Sequence, residues 1–132
     1  MRAAGIALVL VLLGVDPVAA QEAVAGFSAA QAEHGGDLYR DHCSLCHGAD
    51  LSSAEFAPSL KGARFRRQWG GQNAAALHGY VSRTMPPSQA GSLSPQDYSD
   101  VLAFILQANG ASPGAVPLPS DPEALGALSL PK

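Results

Sequence analysis

The chain has 132 residues, a formal net charge of −3 and a hydrophobic share of 47%. This length fits one small domain and excludes a second catalytic domain, because single domains run to about 100–150 residues. The small negative charge argues against nucleic acid as a general partner, since nucleic-acid binding depends on an excess of basic residues. Two cysteines leave room for one disulfide or for one site built on a thiol pair.

Residues 1–20 have the three regions of a secretory signal peptide. Arg2 supplies a positive charge, residues 5–15 form an apolar run, and small residues precede a cleavage point after Ala20. A membrane anchor is the alternative, but this run is shorter than the roughly 20 residues that span a bilayer. We therefore expect cleavage, export to the periplasm and a mature chain without a membrane span.

The segment Cys43-Ser44-Leu45-Cys46-His47 has the spacing at which c-type haem is attached. The two thiols can add across the vinyl groups of a haem, and the adjacent imidazole can bind the iron. A thioredoxin-like redox pair shares this gap but needs a βαβ context, and the sequence contains no convincing strand. A structural zinc site needs four ligands, which two cysteines and scattered histidines do not supply. The motif therefore predicts one covalently attached haem c, with His47 as an axial ligand.

Met85 is the candidate for the second axial ligand. It is the one methionine left after removal of residues 1–20, and Pro86 and Pro87 stiffen the backbone that follows it. A thioether on a rigid loop can be presented to iron, and a His–Met pair raises the haem potential. The alternative is a methionine that merely fills a gap in the core.

Three other histidines compete with Met85 for the iron. His42 adjoins the motif and must point away from the iron, and His34 lies on the same predicted helix as the motif. His78 is the serious rival, and its alternative role is that of a surface or haem-edge histidine.

Helix signals surround these ligand candidates. Ser28 with Gln31, and Ser94 followed by Pro95, are capping sequences that open helices. In chain order we predict a helix from Ala29 to about Cys43, loop-like structure from His47 to Gly71, a short helix from Asn73 to Ser82, and a helix from Ser94 that Asn109-Gly110 closes. With no strand evident, the fold class is all-α.

The first and last helices each carry one apolar face, so we expect them to cross and bury these faces over the haem. Gly35 is costly within a helix, by about 1 kcal/mol relative to Ala. We therefore expect Gly35 to permit a close contact with Phe104, a role that Gly36 can share.

The segment between the motif and the Met85 loop offers further contacts to a haem. A backbone carbonyl within residues 57–62 can accept the second ring N–H of His47. Trp69 either donates its indole N–H to a propionate or covers the haem edge. Basic residues also gather here, and we call Lys61, Arg64, Arg66 and Arg67 the basic cluster. This cluster is either an ordinary solvated loop or a site for propionate neutralisation or partner docking.

Prolines exclude a long helix beyond Gly110. Residues 111–132 are therefore predicted to form an extended tail with one short turn at 123–128. Its leucines, which are Leu118, Leu125, Leu128 and Leu130, indicate packing on the chain's own domain or on a partner. The predicted organisation is a signal peptide over 1–20, a haem domain over 21–110 and a Pro-rich tail over 111–132.

The predicted haem domain resembles the small monohaem cytochromes c. The residues that carry the resemblance are, in order, Gly35, Tyr39, Cys43, Cys46, His47, Pro58, Leu60, Trp69, Met85 and Ala103-Phe104. It implies a cytochrome c fold around the haem, with Cys43 and Cys46 as thioether anchors, His47 and Met85 as axial ligands, and Pro58 as the carbonyl partner of His47. The Met85 loop and the last helix also resemble haem domains associated with quinoprotein alcohol dehydrogenases.

These features predict a periplasmic one-electron carrier whose iron cycles between Fe(II) and Fe(III). We expect a dehydrogenase as donor and an oxidase or another cytochrome as acceptor. No Ser/His/Asp set or paired carboxylates mark a catalytic centre, so no enzyme activity is expected. Two alternatives stay open: a fixed electron-transfer subunit of a quinoprotein dehydrogenase complex, attached by the tail, and a haem enzyme or gas sensor.

Overall fold

A computed structural model describes residues 23–52 and 56–132 of the chain. Six helices and two very short strands make up its regular structure. They are β1 (Ala23–Val24), α1 (Ala29–His42), α2 (Ser44–His47), α3 (Gly62–Trp69), α4 (Ala74–Thr84), α5 (Pro95–Ala108), α6 (Pro122–Gly126) and β2 (Leu128–Ser129). The all-α fold class is confirmed. The predicted signal peptide lies outside the described residues.

Helices α1 and α5 begin at the predicted capping sequences. The Ser28 hydroxyl accepts the Gln31 N–H at 3.2 Å, and the Gln31 side chain accepts the Ser28 N–H at 3.3 Å. Ser94 and Asp97 form the same reciprocal pair at the start of α5. Each pair satisfies backbone donors that the first helical turn leaves without a partner.

Helices α1 and α5 form the largest contact between helices, and they meet at Gly35. A Cβ added at Gly35 would overlap the backbone carbonyl of Asp100 and crowd the Val101 nitrogen at 2.9 Å. The predicted partner of Gly35 is therefore wrong, because Gly35 packs on the α5 backbone and not on Phe104. Gly36 faces that ring instead, with a built Cβ 3.2 Å from it.

Helix α3 occupies part of the segment that was predicted as a loop. Phe65 and Trp69 lie one turn apart on it, and Phe65 is buried while Trp69 is half-buried. Lys61 precedes the helix without a side-chain cap. The helix therefore lacks the local start signal on which the prediction relied, and burial of its apolar side chains stabilises it.

The tail beyond Gly110 packs against the helices of its own chain. Leu118, Leu125 and Leu130 are at most 2% exposed and belong to the common hydrophobic core. Strands β1 and β2 pair in parallel over two residues each. The sequence did not predict these strands. The tail thus holds the segment before α1 in place.

A buried polar network connects α1, α5 and the tail. Gln31 donates to the Asp100 carboxylate at 3.0 Å and to the Leu118 carbonyl at 2.9 Å, and its own side-chain oxygen accepts the Leu118 N–H at 2.7 Å. His34 donates through Nδ1 to the same carboxylate at 2.8 Å. Asp100 is 6% exposed, so these donors stabilise a charge that burial alone would penalise.

Substitution of Gly35 by Ala tests the close contact between α1 and α5. We expect the free energy of unfolding to fall by about 2–3 kcal/mol, because the added methyl meets backbone that cannot move aside. Gly126→Ala is the matched control, since no atom lies within 4 Å of a Cβ built there. Denaturant unfolding of the holoproteins measures both. Equal stability of the two variants would contradict the close contact.

The His34–Asp100 pair predicts a pH-dependent contribution to stability. The hydrogen bond to Asp100 raises the pKa of His34 above 6.5, with smaller contributions from the charges of Asp100, Asp97 and Asp37. A group whose pKa is raised on folding adds to the free energy of unfolding. The full contribution is present below the unfolded pKa of 6.5, and it is lost as the pH rises through the pKa of the folded protein. The difference in unfolding free energy between the parent protein and His34→Gln should therefore shrink between about pH 5.5 and pH 9. A difference that stays constant over this range would rule the pair out as the cause.

Candidate functional site

One apolar cavity of about 350 Å³ lies beside α2 and brings the predicted haem residues together. Its volume is within the range of about 300–1,000 Å³ that is typical of sites for small molecules and cofactors. The side chains that line it include Cys43, Leu45, Cys46, His47, Phe56, Pro58, Phe65, Trp69, Tyr80 and Met85. Among the ligand candidates, His47 and Met85 therefore share a cavity with both cysteines.

Cys43 and Cys46 lie at the corner where α1 passes into α2. Both are half-buried, and neither forms a disulfide with the other. Burial, with a smaller contribution from the neighbouring Cys46, raises the pKa of Cys43 to about 11. Cys43 therefore lacks the depressed pKa that a redox-active thiol requires, and both sulfurs remain available to form thioethers.

His47 is buried, and a backbone carbonyl fixes its ring. Its Nδ1 lies 2.9 Å from the Pro58 carbonyl oxygen. A carbonyl only accepts, so Nδ1 carries the proton and Nε2 keeps its lone pair. That tautomer suits a metal ligand, because the outer hydrogen bond orients the ring and leaves the second nitrogen free to coordinate.

The turn after His47 is anchored to α1 by a tyrosine. The Tyr39 hydroxyl donates to the Gly48 carbonyl at 2.7 Å. Burial raises the pKa of Tyr39 to about 12, so its hydroxyl stays protonated and remains a donor. Gly48 has φ of +81°, a conformation that favours glycine, and it lets the chain reverse directly after the motif.

Met85 reaches the same cavity from the end of α4. It is the C-cap residue, and its N–H donates to the Val81 carbonyl at 2.8 Å. Its side chain is half-buried and lines the cavity. The short helix predicted from Asn73 to Ser82 is α4, which extends to Thr84 and ends directly before Met85.

Of the three competing histidines, His34 and His78 do not line the cavity, and His42 lies at its edge. His78 is 7% exposed, does not line the cavity, and donates through Nε2 to the Pro95 carbonyl at 3.0 Å. His34 is held by Asp100. His42 touches the cavity rim but is exposed at the end of α1. This placement favours Met85 over His78 as the partner of His47.

An aromatic wall closes one side of the cavity. Trp69 and Tyr80 pack with ring centroids 5.4 Å apart, and Phe65 lies in the same wall. Trp69 lines the cavity, and its indole N–H forms no hydrogen bond with any described side chain or carbonyl, a position compatible with both roles predicted for it. Tyr80 is not among the residues predicted from the sequence, although its position about one turn before the Met85 loop was a usable signal.

Three members of the basic cluster lie on α3, which supplies part of the aromatic wall, and Lys61 directly precedes this helix. Lys61 forms an ion pair with Asp50 at 3.4 Å. The other three members, Arg64, Arg66 and Arg67, are exposed and form no ion pair with any residue in 23–52 or 56–132. A positive surface therefore backs this side of the cavity.

Two large apolar side chains stand at the mouth of the cavity. Leu45 is 91% exposed and Phe56 is 82% exposed. Most exposed apolar residues need no explanation, but a pair beside a cavity is typical of a surface that a ligand or partner covers.

A covalently attached haem fits these residues. The cavity is lined mainly by apolar and aromatic groups, two unpaired thiols lie at its edge, and one imidazole and one thioether enter it from different elements. Nitrogen and sulfur donors of this kind suit haem iron. The cavity therefore brings together the residues that the sequence predicted to hold haem c.

Comparison with known proteins finds a matching family and a similar protein. The model of the family described as cytochrome C oxidase, cbb3-type, subunit III matches residues 30–105, which is more than half of the chain. A thiosulfate dehydrogenase of Allochromatium vinosum is 36% identical over 80 residues, covering 55% of this chain and 30% of that protein. This chain thus spans less than a third of the length of that relative. No solved structure matches the chain.

Proposed function

The chain belongs to the family described as cytochrome c oxidase, cbb3-type, subunit III, and on that premise we propose that it is a periplasmic one-electron carrier between a dehydrogenase and an oxidase or another cytochrome. Membership makes it a c-type cytochrome with covalently attached haem c, and hence an electron-transfer protein with redox partners. The predicted cytochrome c fold and the likeness to this class of protein are confirmed. No helix among the described residues is long and apolar enough to cross a membrane.

The cavity carries this proposal, because it gathers the two thiols, the imidazole and the thioether that haem c with His–Met ligation requires. Cys43 and Cys46 form the thioethers, and His47 and Met85 bind the iron. Pro58 orients the His47 ring through its carbonyl. The haem supplies the one-electron chemistry, while the chain sets its potential through ligands, burial and hydrogen bonds.

Two axial side chains favour electron transfer over chemistry at the iron. A haem enzyme or gas sensor needs a coordination position that substrate can enter, and a bound thioether closes that position. The aromatic wall and the α3 backbone cover one side, while Leu45 and Phe56 leave an apolar mouth that a partner protein can cover transiently. Small contacts of this kind are typical of redox encounters.

A second candidate is a fixed subunit or domain of a dehydrogenase complex. The match to part of a protein named thiosulfate dehydrogenase favours it, because that part is 30% of the relative's length. The leucines Leu118, Leu125 and Leu130 of the tail are not available for such an attachment, however, since they are buried in the chain's own core. Any fixed attachment must use exposed side chains, of the tail or of another surface.

Substitution of Met85 by Ala tests the axial ligands. The ferric holoprotein should lose its Met-to-iron absorption band, and its potential should fall by a sizeable part of the ~0.8 V range that axial ligands control. His78→Gln is the control and should keep the band, because His78 faces Pro95. Visible spectra and redox titration measure both variants. A band that survives in Met85→Ala would exclude Met85 as the ligand.

Replacing two arginines of α3 tests whether the basic cluster steers partners. The double variant Arg66→Gln/Arg67→Gln should react with ferrocyanide about fivefold more slowly at low ionic strength, because two exposed charges beside the cavity attract the anion. The difference should vanish in 1 M salt, where the screening length is about 3 Å. Stopped-flow oxidation and reduction give the rates.

Arg40→Gln is the matched control for this experiment. Arg40 is also exposed, but it lies on α1 and its charge is paired with Asp37 at 2.8 Å. Its loss should leave the ferrocyanide rate within experimental error of the parent. Should the double variant also match the parent at low salt, the basic cluster is an ordinary solvated surface.

A further inference from the structure

The backbone loop that presents Met85 is closed by one buried phenol. The Tyr98 hydroxyl donates to the Met85 carbonyl at 2.8 Å and accepts the Gly91 N–H at 3.1 Å. These two contacts bring both ends of the 85–91 loop to a single oxygen atom. A phenol has one proton to donate and lone pairs to accept, so both contacts form at the same time.

Met85 is therefore held by its backbone on two sides. Its N–H donates to Val81 at the end of α4, and its carbonyl accepts from Tyr98 on α5. Its thioether has no described polar partner that would orient it. The direction of the Met85 side chain thus depends on the position of its backbone. That position depends on the distance between α4 and α5.

Tyr98 is well placed to define that distance. It is 3% exposed, in the first turn of α5. Its ring meets His78 of α4 edge-on, with centroids 6.2 Å apart. The His78 Nε2–H in turn donates to the Pro95 carbonyl, which belongs to the first residue of α5. Helix α4 is therefore tied to the start of α5 beside the phenol.

We propose that Tyr98 is the positioning residue that keeps Met85 on the haem iron. This inference rests on the proposed function, in which Met85 is the axial ligand. Tyr98 acts through the Met85 and Gly91 backbone and does not touch the iron. Its hydroxyl lowers the population of the state in which the 85–91 loop has swung away.

The population of that open state is measurable, because an external ligand can bind only when Met85 has left the iron. The apparent affinity of such a ligand scales with the open fraction. Loss of the hydroxyl removes two hydrogen bonds that exist only in the closed loop and leaves a carbonyl and an N–H without their partner. We expect the open fraction to rise about tenfold.

Titration of the ferric holoprotein with imidazole tests this inference. Tyr98→Phe keeps the buried ring and removes only the hydroxyl, so it should bind imidazole about tenfold more tightly than the parent. Its Met-to-iron band should also disappear at a lower temperature. Denaturant unfolding of each variant, followed by far-UV circular dichroism, reports global stability separately.

Ser99→Ala is the matched control. Ser99 follows Tyr98 on α5, is fully buried, and its hydroxyl donates to the Pro119 carbonyl at 2.8 Å. The variant therefore loses a buried hydroxyl-to-carbonyl bond of the same length, but one that holds the tail. It should lower global stability without changing the affinity for imidazole.

Three results would overturn the inference. An unchanged imidazole affinity in Tyr98→Phe shows that the loop holds without the hydroxyl. An equal rise in Tyr98→Phe and Ser99→Ala shows an effect of global stability alone. A parent protein whose band and imidazole affinity match those of Met85→Ala shows that Met85 is not the ligand, and the proposed ligation then fails together with the inference. In the first two results the proposed function stands.

Discussion

The close approach of α1 and α5 at Gly35 sets the geometry of the whole site. A side chain at this position would overlap the Asp100 carbonyl, so the separation of the two helices depends on the absence of a Cβ. Helix α1 ends at the thiol and imidazole motif, whereas α5 supplies the phenol that contacts the Met85 loop. The contact at Gly35 thus positions the side of the cavity that carries the thiols and imidazole relative to the side that carries Met85. The helix propensity lost at Gly35, about 1 kcal/mol, is offset by the packing that it permits.

The tail completes a core that the helices alone leave open. Small domains bury a low fraction of their surface, and Leu118, Leu125 and Leu130 supply apolar area that α1, α4 and α5 cannot bury against one another. The Gln31 side chain joins both backbone groups of Leu118 to α1. A proline-rich sequence prevents helix but does not prevent packing, because leucines on an extended chain can still enter a core. The tail is therefore part of the same packed body as the haem site.

Local chemistry made much of this structure predictable, and long-range contacts account for the rest. Capping sequences gave the starts of α1 and α5, and the spacing of Cys43, Cys46 and His47 located the site. Helix α3 was missed because nothing at its start marks it, and burial against distant residues stabilises it. The partners of Gly35 and the contact between Tyr98 and the Met85 loop join positions on separate elements. Periodicity shows that such residues face inward, but it does not show which atom they meet.

The two proposed axial ligands are secured in different ways, and this asymmetry bears on function. The His47 ring is fixed at its own nitrogen by Pro58, and the adjacent thioether of Cys46 would tether it to the haem covalently. The Met85 sulfur has no such support, since the contacts that place it fall on its backbone. The imidazole side is thus rigid by bonding, while the thioether side is only as rigid as the loop between α4 and α5. Because the second ligand raises the haem potential and excludes other ligands, both properties depend on the contacts that close this loop.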